Sequence, residues 1–352
     1  MIEVRVARPG DAADVQQLFE QPLGGAWQLA TRFPQGLSAG LATLGERITV
    51  VVAADVHGVL ASGVRAVRPV WWEGRATRLG YRALLRCHAR LPLLARPGVL
   101  VRCQALLTAD RRQDELPWDL TAILDTNRTA RRLLERGLPG APAYHRIATQ
   151  VTQILAAREL ARQPIDGVRP AQVADLPAIA RLVRGLVCGD SGLRPRSATA
   201  GAGSDADADA DADGWWVMDR GAGPSGCVRL ADQRASRDWE LVATPQVPRW
   251  SSALIDWWRA RTQRAPLPHP GSLAAVYLDG LRAADPAQAR SLASAAAHAA
   301  LATGALRILH GWTMGDPLVP QLPGGDRVLT NWYAVGAPVD GTGPFHQELA
   351  TL

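Results

Sequence analysis

IEVRVARPGDAADVQQLFEQ (residues 2–21) and GVRPAQVADLPAIARLVRGLV (residues 167–187) decide the fold between them, because the second repeats the plan of the first. Ile2, Val4 and Val6 alternate with polar residues, the period of a half-buried strand, and the run breaks at Pro9-Gly10. Asp11 then stands where a helix N-cap belongs, Asp14 falls in the first turn, and Val15, Leu18 and Phe19 share one helical face. In the later stretch a strand through Val168 ends at Arg169-Pro170, and Asp175 precedes a helix whose apolar face is Leu176, Ile179, Leu182 and Val183. Recurrence of one opening unit after roughly 160 residues points to a duplicated domain rather than a short-period solenoid.

The length agrees. A chain of 352 residues exceeds one ordinary core and suits two domains of about 150 to 180 residues each, here 1–160 and 165–340. With 47% hydrophobic and 20% charged residues the chain can bury enough apolar surface to fold, which excludes wholesale disorder. SATAGAGSDADADADADG (residues 197–214) is the exception: its Ala/Asp/Gly composition supports no core, and a disordered surface insertion is expected there. Its spaced aspartates lack the Gly and terminal Glu of a calcium loop.

Every basic residue is arginine, and the formal net charge is +6. The arginines are interleaved with Asp and Glu rather than gathered into a basic run, so no nucleic-acid partner is expected. Cys87, Cys103, Cys188 and Cys227 lie far apart, without C-x-x-C or histidine spacing for zinc, and read as free core thiols with no metal. The N-terminus has no apolar signal core and no apolar run reaches about 20 residues. A cytoplasmic location without membrane contact is the expectation.

Between the two openings, Ile48–Ala54, Val59–Val70 and Arg75–Arg86 read as strands split by turns at His57-Gly58 and Glu73-Gly74. A helix over 98–112, a strand from Trp118 to Leu124, a helix from Asn127 to Glu135 ended by Gly137, and a strand from Tyr144 to Leu155 complete the half. The second half gives strands at Trp215–Met218, Ser225–Leu230, Leu273–Leu281, Leu306–His310 and Arg327–Val335, with a helix from Pro286 to about Ala302. The fold class is α/β with mixed sheets. Residues 246–264 could add an amphipathic helix with Leu254, Trp257 and Trp258 on one side. In the doublets Trp71-Trp72 and Trp215-Trp216, one ring is expected on each face of a strand.

This order, with the repeated opening and the segment DTNRTARRLLERGLPGAPAYHRI (residues 125–147), resembles two tandem domains of the GNAT acyltransferases. Asn127 with Arg131, Arg132 and Leu133 matches that family's entry into its fourth helix. Asp232-Gln233-Arg234, Pro270-Gly271 and Asp316-Pro317-Leu318 resemble bacterial tandem GNAT-like proteins. Fatty-acylating peptide maturases and mycothiol synthases also fuse two such domains, and these motifs do not select between them.

The resemblance implies a donor site. In the family the fourth strand splays from the fifth, the pantetheine arm of acyl-CoA lies in the gap like an added strand, and the third helix offers backbone N–H groups to the pyrophosphate. Carried over, the donor contacts are Leu84, Leu85, Arg86 and Cys87 on the fourth strand, Arg90, Arg96 and Gly98 in a degenerate phosphate loop, and Asn127. The second half lacks glycine at the equivalent ADPAQARSL and sets Asp285 where a phosphate would be repelled, so the first half is the donor half.

An amine must lose a proton as it attacks a thioester, and the departing thiolate can take one up. His88 and Asp125 are candidates for the base and Tyr144 for the acid. The expected activity is transfer of an acetyl or longer fatty acyl group from acyl-CoA, or from an acyl carrier protein, to an amine of a peptide or small molecule. The damaged phosphate loop leaves open a catalytically inactive GNAT-like binding module.

Overall fold

The computed structural model describes residues 1–22, 28–72, 75–185, 193–195, 212–221, 223–243, 257–259, 261, 270–314 and 322–339. The opening unit folds as its pattern dictates: β1 (Glu3–Val6), a 3-10 turn at Pro9–Asp11, then α1 (Ala12–Phe19), which buries Val15, Leu18 and Phe19. The aspartate differs from its expected role. Asp11 does not cap α1 with its side chain; its carboxylate turns back to the Arg8 N–H (2.6 Å) and takes both ends of the Arg5 guanidinium (2.6 and 3.0 Å). Asp175 repeats this with Gln172 N–H (2.8 Å) and Arg169 (2.6 and 2.9 Å). The repeated unit is thus held by the same ion pair, six residues apart in both halves.

The first half continues through β2 (Gln28–Arg32), α2 (Leu37–Ala42), β3 (Arg47–Asp55), β4 (Gly58–Trp72), β5 (Arg75–Cys87), α3 (Arg96–Ala109), β6 (Glu115–Leu124), α4 (Arg128–Glu135), β7 (Tyr144–Ala156) and α5 (Ala157–Leu160). The second runs β8 (Val168–Pro170), α6 (Leu176–Gly185), β9 (Leu193–Pro195), β10 (Trp215–Asp219), β11 (Pro224–Ala231), β12 (Asp238–Ala243), β13 (Gly271–Ser272), β14 (Ala275–Arg282), α7 (Pro286–Ala302), β15 (Arg307–Thr313) and β16 (Asp326–Gly336). The early elements β2 and α2 are additions to the expected order. The sequence 197–211, the Asp316-Pro317-Leu318 motif, the Glu73-Gly74 turn, Cys188 and most of 246–264 lie outside the described residues.

One sheet runs through both halves in the order β1-β3-β4-β5-β6-β16-β7-β15-β14-β11-β10-β8, with β9 added to β4. Its centre is an exchange of last strands. β16 inserts between β6 and β7, antiparallel to both, while β7 pairs with β15 of the second half. A smaller sheet, β13-β12-β2, ties the halves again, with Arg32 paired to Glu240 across it.

Alternation along the strands separates the cores. Val64, Ala66, Val70, Leu79, Tyr81, Leu120 and Trp332 face α1 and α2, whereas Val51, Ala53, Leu60 and Ala61 meet Leu91, Val99, Cys103 and Leu107 at α3. Fully burying a side chain such as Phe19 stabilises by about 1.5 to 3 kcal/mol. In the second half the alanine face of α7 (Ala289, Ala293, Ala296, Ala297, Ala300) packs with Val228, Val276 and Ile308. Trp215 and Trp216 enter different clusters, one on each side of β10.

Candidate active site

Strands β5 and β6 pair in parallel only from Arg78↔Glu115 to Arg82↔Thr121, with a register shift between Arg78 and Gly80. Thr121 Oγ1 donates to the Arg82 carbonyl (2.8 Å) at the last pair, after which β5 goes on to Cys87 and β6 to Leu124 with no further ladder between them. The sheet opens into a wedge there. On its other side β5 stays paired to β4, but the register shifts between Ser62↔Arg86 and Val64↔Ala83, so Leu84 and Leu85 together oppose Gly63. Leu84 has φ +54°, a conformation leucine rarely takes outside a site that demands it.

The closed end of the wedge is fixed by charge. Arg65, fully buried on β4, binds Asp119 through Nε (3.1 Å) and Nη2 (2.8 Å), reaches Asp110 (3.1 Å) and contacts Glu115. Arg82 donates to the other Asp119 oxygen (2.7 Å), to Thr108 Oγ1 (2.8 Å) and to Gln104 on α3. Burial alone would raise the Asp119 carboxyl; the guanidiniums of Arg82, Arg65 and Arg111 outweigh it and hold the group below its ordinary value. Gly80 is required here, since a Cβ would lie 2.2 Å from Asp119 Oδ1 and 2.4 Å from Arg65 Nη2. These contacts bind β4, β5, β6 and α3 into one frame up to Arg82, where the wedge begins.

The residues expected to hold the donor follow one another along the open side. Leu84, Leu85, Arg86 and Cys87 form the bulged end of β5, and burial depresses the Arg86 guanidinium and pushes the Cys87 thiol up. Arg90 donates to the His57 carbonyl (3.2 Å), and Arg96, through Nε, to that of Leu91 (3.2 Å). No side chain caps α3, which follows its N-cap Ala95 with Arg96 and Pro97 in the first turn, and a Cβ on Gly98 would meet nothing within 4 Å. The Arg96 N–H already donates to the Pro92 and Leu93 carbonyls and Pro97 has none, so the Gly98 N–H beside the Arg96 side chain is what this turn offers an anionic pyrophosphate; the free side of β5 suits an extended amide-bearing chain.

The second half keeps the shape without the anion site. The β14–β15 ladder stops at Leu278↔His310, and β14 bulges against β11 with Gly280 at φ +58°. At its helix start, however, Asp285 accepts from Ala287 N–H (2.8 Å) and Gln288 N–H (2.9 Å), so a carboxylate of the chain already fills the place of a phosphate. The Asp232-Gln233-Arg234 motif is a fastening: Arg234 pairs with Asp232 (2.5 Å) and donates to the Thr303 carbonyl (3.0 Å) at the end of α7.

The catalytic candidates divide. His88 sits at the turn leaving β5, where its Nδ1 accepts the Arg90 N–H (3.0 Å). A neutral imidazole so engaged carries its proton on Nε2 and offers no lone pair there. Across the wedge, Asp125 binds Arg131 (2.6 Å) and the buried Asn331 (2.9 Å), and Asn127 caps α4 by accepting the Ala130 N–H (3.1 Å). Tyr144 opens β7 on the α3 side of the sheet, within electrostatic reach of Arg82 and Asp119, and burial pushes its phenol up to about 12.

Two neighbours, Asn331 beside Asp125 and Tyr333 beside Tyr144, come from the exchanged strand and were invisible as partners in the sequence. Tyr333 of β16 lies 6.3 Å from Tyr144, ring to ring, and donates to Glu135 of α4 (2.5 Å). It is fully buried and pairs with Thr121, the residue at the point of the wedge. Its strand was legible; its place in the first half was not.

Among the described residues no cluster of His, Cys, Asp and Glu could hold a metal ion, and no helix is long and apolar enough to cross a membrane. No family model matches the chain, and no curated protein matches it in sequence. In structure it is similar to Saccharomyces cerevisiae N-myristoyltransferase with bound myristoyl-CoA, at a TM-score of 0.54 and 10% identity over 99% of this chain and 83% of that one. The GCN5-related glucosamine N-acetyltransferase region of a fungal multi-domain β-N-acetylglucosaminidase gives 0.54 and 11% over 95% of this chain and 38% of that one. A GCN5-related N-acetyltransferase from Kribbella flavida gives 0.44 and 14% over 95% and 71%. Identities this low speak for the fold alone, and that fold is the GNAT fold, present here as tandem α/β units joined in one mixed sheet.

Proposed function

We propose that the chain is an N-acyltransferase that moves an acyl group, acetyl or longer, from acyl-CoA or an acyl carrier protein to an amine of a peptide or small molecule. The observation that carries this is the wedge between β5 and β6, bulged at Leu84 and leading to the uncapped start of α3. A donor's amide arm would pair with the open side of Ala83–Cys87, and its pyrophosphate would meet the Gly98 N–H with the Arg96 and Arg90 side chains. Tyr144 is the proton donor proposed for the leaving thiolate; burial pushes its phenol up to about 12, which keeps the proton in place at neutral pH and makes its transfer harder, so its contribution is smaller than that of an ordinary tyrosine. His88 becomes a base only by releasing the Arg90 N–H, whereas Asp125, whose bonds from Arg131 and Asn331 both fall on Oδ1, has its other oxygen to accept a proton. The domains 1–160 and 165–340 then take different roles, the first binding the donor and the second covering the acceptor side.

The engagement of His88 Nδ1 in a structural hydrogen bond favours one rival, a GNAT-like module that binds without turnover. Thermal melts with CoA thioesters of increasing chain length, followed by thiol release over an amine panel, separate the two. Stabilisation with turnover supports the transferase and stabilisation without turnover supports the module. Indifference to every thioester sinks the donor site itself.

A further inference from the structure

Arg68 projects from β4 onto the sheet face covered by α1 and α2, opposite the donor helix, and is only 4% exposed. Its Nη2 donates to the Leu44 carbonyl (3.0 Å), and its guanidinium carbon stands 4.5 Å from the centre of the Tyr81 ring. Nε and Nη1 have no hydrogen-bond partner among the described residues. Burying a guanidinium with two unmatched donors is costly, and a folded chain retains such a group where something it binds completes the set.

Among the described residues the charged neighbour of Arg68 is a second cation. Arg237, just before β12 and 6% exposed, is held by Gln233 through its backbone N–H (2.7 Å) and Nη2 (2.9 Å), and its charge acts on both Arg68 and Tyr81. Burial, with the charge of Arg237 added to it, lowers Arg68 to about 10 even beside the Tyr81 phenol. The turn carrying Arg237 presses on α2 so closely that a Cβ on Gly40 would lie 2.9 Å from the Ser236 carbonyl. Both halves therefore build this place. It also adjoins the wedge: Tyr81 and Ala83 share one face of β5, about 7 Å apart along the strand, and Ala83 precedes the bulged Leu84.

We propose that Arg68, with Arg237 and the Tyr81 hydroxyl, binds a carboxylate carried by the acceptor amine. The word acceptor rests on the transferase reading; the anion subsite does not. A planar guanidinium matches a carboxylate, and the burial of Arg68 favours a compact monoanion over a hydrated phosphate. A charge-assisted contact of this kind is worth about tenfold to a hundredfold in affinity.

Calorimetry on the full chain tests this with glycine, β-alanine and γ-aminobutyrate, each beside its carboxamide, and with inorganic phosphate. At least one amino acid should bind, its amide at least about tenfold more weakly. Arg68→Met should erase that difference while raising the thermal midpoint, because it removes an unmatched buried charge; Arg68→Gln serves if that variant does not fold. Absence of carboxylate binding, discrimination that survives both variants, or phosphate binding tighter than every carboxylate overturns the proposal. Carboxylate binding that depends on Arg68 without acyl transfer would refute the transferase and leave the subsite standing. Transfer to neutral and carboxylate amines alike would do the reverse.

Discussion

Leu84 and Gly280 occupy the same place in the two halves. Each lies in a bulge where two residues of the splayed strand oppose one of its neighbour, with φ of +54° and +58°. A left-handed conformation costs a leucine roughly 1 to 2 kcal/mol and a glycine little. Gly280→Ala should therefore lower the unfolding free energy by about 1 kcal/mol in a denaturant titration, and an unchanged midpoint would mean that the bulge is not held in this conformation.

The closed end of the wedge depends on Asp119. Asp119→Ala leaves Arg65 and Arg82 buried around a missing charge, and the expected loss is about 3 to 5 kcal/mol. Equilibrium unfolding measures it. A loss under about 1 kcal/mol would show that water or another carboxylate takes over the site.

Acid should weaken the repeated opening unit in both halves. Hydrogen bonding from Arg5, with the Arg8 N–H, lowers the Asp11 carboxyl from 3.8 to about 2, and hydrogen bonding from Arg169 moves Asp175 in the same direction. A carboxyl whose folded value lies below its unfolded one adds stability above the unfolded value and loses it as pH falls through the folded one. The difference in unfolding free energy between the native chain and Asp11→Asn should thus be full near pH 5 and shrink towards pH 2. A pH-independent difference would contradict the pairing.

Exchange of the last strands makes the halves interdependent. Without β16, both β6 and β7 expose the edges that pair along Thr330–Gly336 and Asp326–Val335. Residues 1–160 expressed alone should aggregate or lack a cooperative melt, and co-expression with 165–352 should restore one. An isolated first half that melts cooperatively would contradict the exchange.

Elements with local periodicity were legible in the sequence, from the paired openings at Ile2–Val6 and Val168 to the strand ends at Leu124 and Val335. Pairing partners were not, because a strand's alternation sets which face is buried and not which strand lies beside it. Hence β16 read as a second-half strand, and Tyr333 and Asn331 went unrecognised at the first-half site. The separation of β5 from β6 was anticipated from family resemblance, and the carboxylate at Asp285 from residue type. Arg68 gave no signal, since in sequence it is one arginine among many and only burial without a partner sets it apart.

The central claim is that the chain binds one donor, in the first half. Calorimetric titration of an acyl-CoA into the native chain, Gly98→Asp and Asp285→Ala tests it most directly. One site per chain is expected, weakened about tenfold or more by a carboxylate placed at the start of α3. Asp285→Ala should leave that affinity unchanged while costing about 1 kcal/mol of stability through its lost cap. Binding that survives Gly98→Asp and is altered by Asp285→Ala would place the donor in the second half and contradict the account.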